Sequence, residues 1–174
     1  MTGVSWHLGC PVGLGELRLL QLSYWGFDHA AHQGELIVNA SASTSMITAF
    51  RLLFEARFPV RQMRVVDDFG GDDERSMLAD NTSAFNCRLV PGTKAWSQHA
   101  YGLAVDINPF ENPEIQDGQA DPPAAAEWAD RSRSSPAMIK DGDAAWHAFR
   151  AIGWTWGGDW RSLKDYMHFS ANGL

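Results

Sequence analysis

Apolar and polar residues recur along this chain with periods that mark strands and helices in turn. Leu17 to Tyr24, Glu35 to Asn39 and Val60 to Val66 have the composition and bounds of strands. Ser43 to Arg57 repeats at helical spacing instead. Met46, Ile47, Phe50, Leu53 and Phe54 share one face, hydroxyl residues open the segment, and Pro59 stands just past its end. An Asp- and Gly-rich turn from Asp67 to Asp73 leads to a short helix near Glu74 to Ala79. A later helix, Asp143 to Ile152, turns Ala145, Trp146, Phe149 and Ile152 inward, with Gly153 as its cap. Leu103 to Ile107 reads as a strand with Leu103, Val105 and Ile107 on one face, Ala104 and Asp106 on the other. In the Ser83 to Val90 run the same alternation sets Ala84, Asn86 and Arg88 opposite Phe85, Cys87 and Leu89.

This order of elements predicts an α+β fold, a single domain over residues 1–174 in which an antiparallel sheet is flanked by helices. Residues 1–33 form an N-terminal segment. Residues 108–142, rich in Pro, Asp and Gln, are read as an irregular loop broken only by a short helix at Pro123 to Asp130. Such a long connection is usually functional or mobile. It leaves directly from the strand bearing Asp106, so it is expected to border a cleft and help choose the substrate.

The chemistry concentrates in two short segments, Ser97 to Asp106 and Asp165 to Phe169. His99, Asp106 and His168 can give a Zn²⁺ ion three nitrogen or oxygen ligands and leave a fourth position open, as catalytic zinc requires. The same donors would accept other divalent ions. Gly102 permits a tight turn that folds His99 back over Asp106, and Ala104 beside it leaves room for an ion. Asp165 stands three residues before His168, an offset that puts them on opposite faces of a regular strand, so the chain must turn or bulge between them. Asp165 is the candidate base.

The pattern Ser-x-His-x-x-Gly-x-Ala-x-Asp at Ser97, His99, Gly102, Ala104 and Asp106 resembles the first zinc motif of the bacterial and phage zinc D-alanyl-D-alanine carboxypeptidases and L-alanyl-D-glutamate endopeptidases. Asp165, His168 and Phe169, preceded by Trp156, Gly157, Gly158 and Trp160, resemble the second. The likeness covers the C-terminal two thirds of the chain and, more loosely, Gly34 to Ala40. It implies a hedgehog/DD-peptidase-like fold and a zinc metallopeptidase, a hydrolase acting in proteolysis of peptidoglycan, the bacterial cell wall. His99, Asp106 and His168 would be the metal ligands of one Zn²⁺ ion. Asp165 would be the catalytic base where many relatives have glutamate, one methylene longer. Arg88 would hold the oxyanion. The implied substrate is a peptidoglycan stem peptide, with D-alanyl-D-alanine carboxypeptidase activity favoured over L-alanyl-D-glutamate endopeptidase activity of the endolysin type. A non-catalytic zinc-containing binding module and a zinc hydrolase for another amide are the alternatives.

Composition narrows the remaining classes. The formal net charge is −7 with no basic run, which removes the electrostatic footprint of nucleic-acid binding. No apolar run of 18 residues is present, so no membrane span is expected. A monomer is expected. No basic stretch followed by an apolar one marks a leader, and the reading adopted is an extracytoplasmic or cell-wall enzyme whose leader is absent from this chain, with a phage lysin or a cytoplasmic enzyme as alternatives. Cys10 and Cys87, the only cysteines, are either one disulfide or two buried thiols. Of the 8 tryptophans, Trp154, Trp156 and Trp160 cluster before the second motif, where they serve the core, the cleft wall or both. His29, His32 and Glu35 form a further string of ligand types, read as a loop running into a strand. His7 and His147 lack partners at ligand spacing. Asp159 is a turn residue or a hydrogen-bond acceptor for a ligand histidine, and the alternative base should Asp165 not serve.

Overall fold

A long antiparallel hairpin, β1 (Leu17–Gly26) and β2 (Ala31–Asn39), lays its apolar face under the first long helix, α1 (Ser43–Glu55). The computed structural model describes every residue from Met1 to Leu174. Met46, Ala49, Phe50 and Leu53 are the buried stripe of α1, as the helical spacing of these positions requires. Ile47, expected on the same stripe, is exposed. The predicted strand from Val60 to Val66 is broken into β3 (Pro59–Val60), parallel to the end of β1, and β4 (Gln62–Met63). Side chains of buried asparagines take the place of a continuous ladder there. The Arg61 N–H donates to Asn108 Oδ1 at 3.0 Å and the Arg64 N–H to Asn81 Oδ1 at 2.9 Å.

Next comes α2 (Asp73–Leu78), whose N-terminus is capped by the Asp72 carboxylate accepting from the Arg75 N–H. β5 (Asn81–Thr82) pairs in parallel with β4. Beyond it, residues 83–90 are not the regular strand expected of them: their ladder pairing is confined to isolated bridges, Ser83 with Asp106 and Leu89 with Trp96, and single backbone hydrogen bonds run from Phe85 to Ile37 and from Cys87 to Ser5. Phe85 and Cys87 pack into a small cluster with Val12, Leu17 and Ile37, and a disulfide joins Cys87 to Cys10 across a separation of 77 residues. The cysteines are therefore bridged.

The main core is shared by α1, α3 (Ala144–Ala151) and a three-stranded antiparallel sheet ordered β6 (Ala104–Asp106), β11 (His168–Ser170), β9 (Thr155–Trp156). The predicted antiparallel pairing of the Asp106 strand with the final strand is present. Phe169 stacks on Phe149 of α3 with ring centroids 4.1 Å apart, and Phe149 meets Phe50 of α1 edge-on. Trp154 and Trp156 are buried in this core, whereas Trp160 lines a cleft, so the tryptophan cluster divides between packing and site.

Residues 108–142 depart from the irregular loop expected of them. They contain a hairpin of β7 (Glu114–Gln116) and β8 (Gln119–Asp121), which extends to β10 (Lys164–Asp165) in a separate three-stranded sheet ordered β10-β7-β8. Asp117 and Gly118 form its two-residue turn, both at positive φ, as this kind of hairpin demands. The rest of the stretch is stitched from inside. Buried Asn112 accepts from the Ile139 N–H at 2.7 Å, and the Arg131 guanidinium donates to the Glu111 and Ile139 carbonyls, each at 2.7 Å. The chain is thus an α+β domain of small sheets and few helices, and none of its helices is long and apolar enough to cross a membrane.

Candidate metal centre and cleft

The first motif has a local reason at almost every position. Ser97 caps a single 3₁₀ turn, Gln98 to Tyr101, its hydroxyl accepting from the His99 N–H at 3.3 Å. Gly102 ends that turn in the left-handed region at φ 67°, and a Cβ there would lie 2.5 Å from the Asn39 nitrogen. The close approach is used: the Asn39 N–H donates to the Gly102 carbonyl at 2.9 Å and the Asn39 side chain to the Tyr101 carbonyl at 3.1 Å. The end of β2, the Gly34 to Ala40 region of looser resemblance, therefore braces the turn that carries His99. Strand β6 follows at once, with Val105 sent into the core and Asp106 to the other face.

Across the sheet, His168 on β11 is the direct partner of Asp106, and Phe169 the partner of Val105. Alternation does the rest. Phe169 and Val105 anchor the core side, while His168 and Asp106 meet on the cleft side. The His168 Nδ1 lies 3.0 Å from one Asp106 oxygen, the His99 Nε2 lies 3.1 Å from the other, and the two ring nitrogens are 3.3 Å apart. All three residues are buried.

The remaining ring nitrogens are already committed. His99 Nδ1–H donates to the Ala84 carbonyl and His168 Nε2–H to the Leu174 carbonyl at 3.2 Å. Backbone carbonyls in those positions set the tautomer, so each neutral ring turns a lone pair towards Asp106, itself an acceptor. Three converging acceptors repel one another unless a cation lies between them. A proton can fill that place: burial acts to lower the His99 imidazole, but the Asp106 carboxylate outweighs it and the net shift is upward. Likewise, burial acts to raise Asp106, yet the charges and hydrogen bonds of His99 and His168 hold it well below the usual carboxylate range. A divalent metal satisfies the same three lone pairs at once, and two imidazoles with one carboxylate suit zinc.

Asp165 reaches the same cleft by the break anticipated from its spacing. β10 and β11 are separated by a bend at Tyr166 and Met167, and the Trp156 indole N–H clamps it by donating to the Tyr166 carbonyl at 2.8 Å. Gly157 lies so close that a Cβ there would sit 2.5 Å from the Asp165 carbonyl oxygen, which accounts for one glycine of the Trp-Gly-Gly run. The Asp165 Oδ1 is buried without a hydrogen-bond partner. Burial raises its pKa well above the ordinary carboxylate range, and the neighbouring Asp106 and Glu114 charges push the same way against His168 and Arg88. Glu114 faces Asp165 across the β7–β10 pair and Asp121 across the β7–β8 pair, a row of three carboxylates in register. Neither Glu114 nor Asp121 was a candidate from sequence; the Asp117-Gly118 turn signal was the available clue to the hairpin that places them.

Arg88 lines the same cleft of about 500 Å³, with Trp96, Trp160 and Leu163 as apolar walls. Trp160 leans over His168, ring centroids 5.5 Å apart. All five sequence candidates, His99, Asp106, His168, Asp165 and Arg88, thus open on one cavity. The others do not. Asp159 is exposed and outside the cleft lining, so it is no alternative base. His32 pairs with Asp28 at 2.9 Å at the tip of the first hairpin, and His7 lies beside the disulfide.

Residues 91–171 match the family model described as D-alanyl-D-alanine carboxypeptidase. This segment is similar to that peptidase family. It contains both motifs, and it is the family that the motifs resemble. The peptidase family is zinc-dependent in general, in keeping with the donor set of His99, Asp106 and His168. Arg88 lies just before the matched residues. No curated protein and no solved structure matches the chain.

Proposed function

We propose that this protein is a zinc-dependent peptidase of the hedgehog/DD-peptidase-like architecture that hydrolyses peptidoglycan stem peptides, as a D-alanyl-D-alanine carboxypeptidase, outside the cytoplasm or at the cell wall. The observation that carries this reading is the convergence of His99, Asp106 and His168 on one point in a cleft that also presents Asp165, within a segment similar to that peptidase family.

In this reading His99 Nε2, Asp106 and His168 Nδ1 hold the ion, and the Ala84 and Leu174 carbonyls keep both rings in the ligating tautomer. When bound, zinc supplies Lewis-acid polarisation of the scissile carbonyl and makes water acidic enough to attack near neutral pH. Asp165 accepts the proton of the attacking water and returns it to the leaving amine. Its buried, unpartnered oxygen suits that work because no protein donor competes for it. Arg88 faces the charge that grows on the carbonyl oxygen as the carbon becomes tetrahedral. Trp96, Trp160 and Leu163 give the peptide an apolar surface and displace water around it.

The test is incubation of the protein with purified muropeptides, with added zinc and with chelator, followed by mass analysis. Loss of a single terminal alanine, abolished by chelator and restored by zinc, is the expected result. Cleavage inside the stem would assign the endopeptidase activity instead. A zinc-loaded protein that leaves every muropeptide intact would overturn the reading.

A further inference from the structure

Arg88 is held at the cleft by a carboxylate that has no part in the two motifs. Its Nη2 lies 2.9 Å from Asp73 Oδ2, while the other Asp73 oxygen accepts from the Asn86 side chain at 3.2 Å. Each oxygen of Asp73 therefore has its own partner, and the carboxylate cannot rotate without losing one of them. The Asn86 backbone N–H donates in turn to the His99 carbonyl at 3.2 Å, and the Ser97 N–H to the Arg88 carbonyl at 3.1 Å. The start of α2 is thus tied both to the Arg88 stretch and to the turn that carries His99.

The guanidinium is not used up by this contact. Its Nε is buried and has no partner, in a residue that lines the cleft. An unsatisfied buried donor is costly, and arginine loses much rotamer freedom when one geometry is imposed on it. Carboxylates also compete for the guanidinium, since Asp165 and Glu114 line the same cleft. A free Arg88 would swing towards them, shield the base and leave the substrate oxygen without a donor.

We propose that Asp73 is a positioning residue that holds Arg88 away from Asp165 and keeps its guanidinium at the cleft wall, where it meets the negative charge developing on the substrate; the inference rests on the peptidase reading above. The conformation is fixed before substrate arrives, so no reorganisation is needed during reaction.

The experiment compares Asp73→Asn, Asp73→Glu, Arg88→Ala and the double variant Asp73→Asn/Arg88→Ala on a muropeptide, with zinc content measured on each. Removing a charge donor of this kind costs about 10²–10³-fold in kcat, and Asp73→Asn is expected to lose about 10-fold or more of the same quantity. KM and zinc content change little, and Asp73→Glu recovers part of the loss. The decisive outcome is non-additivity: once Arg88 is alanine, Asp73→Asn has no further effect on kcat. Losses that multiply in the double variant, or an unchanged kcat in Asp73→Asn, overturn the proposal. A separate readout is the ¹⁵N relaxation of the Arg88 Nε–H, expected rigid in the parent and mobile in Asp73→Asn. If the parent protein hydrolyses no muropeptide, the peptidase reading fails by itself, and equal Nε–H mobility in parent and variant would sink the role of Asp73 independently.

Discussion

Asp106 and His168 face each other directly across β6 and β11, each carrying on its neighbouring position a core anchor, Val105 or Phe169. Burial of those two apolar side chains sets the register of the pair. A slip of either strand by one residue would send its own His168 or Asp106 into the core and its anchor into the cleft. The candidate metal site and the core are therefore two faces of the same strand pairing.

Replacing Asp165 by Asn keeps its size and removes its basicity. Turnover is expected to fall roughly 10²–10⁴-fold while zinc still binds with one ion per chain. Steady-state kinetics and metal analysis on the same sample check this, and unchanged turnover would remove Asp165 from the mechanism.

Glu114 raises the proton affinity of Asp165 through its charge. Glu114→Gln should therefore lower the Asp165 pKa. Since the base works only when deprotonated, the acid limb of the kcat/KM profile is expected to move to lower pH. A shift to higher pH, or none, would show that the two carboxylates are not coupled.

Away from the cleft, buried Glu111 lies near Asp80 and its Oε2 has no partner. Burial first, and then the Asp80 charge, raise Glu111 from 4.5 to about 7, and Asp80 is raised as well. The folded chain then holds a proton that the unfolded chain has already released. Stability is expected to fall as pH rises from 4.5 to about 7, and Glu111→Gln should flatten that slope. Urea midpoints measured at the two ends of this window decide it.

Gly102→Ala places a methyl group against the Asn39 backbone in a left-handed turn. Loss of stability by more than ~1 kcal/mol is expected, together with weaker zinc binding, because the turn carries His99. Thermal melts with and without zinc separate the two effects.

The Cys10–Cys87 bridge fastens the N-terminal segment beside Arg88. Cys10→Ser/Cys87→Ser is expected to cost about 2–4 kcal/mol in denaturant unfolding. Thiol labelling of the unreduced parent should find no free cysteine.

Much of this was readable from residue spacing alone. The capped turn from Ser97 to Gly102, the facing of Asp106, and the bend between Asp165 and His168 all depend on backbone geometry within a few residues, which local sequence dictates. The buried stripes of α1 and α3 follow from helical periodicity for the same reason, although Ile47 shows that a stripe's edge depends on what lies above it.

Only the tertiary structure decided the rest. The split of the Val60 to Val66 strand depends on Asn81 and Asn108 arriving from elsewhere in the chain to take its backbone N–H groups. Asp73 meets Arg88, and Glu114 meets Asp165, through contacts between segments far apart in sequence. No period or local motif encodes such meetings. They are set by how the core of α1, α3 and the β6-β11-β9 sheet packs, because burial of apolar area is non-directional and fixes partners only when the whole chain has folded around it.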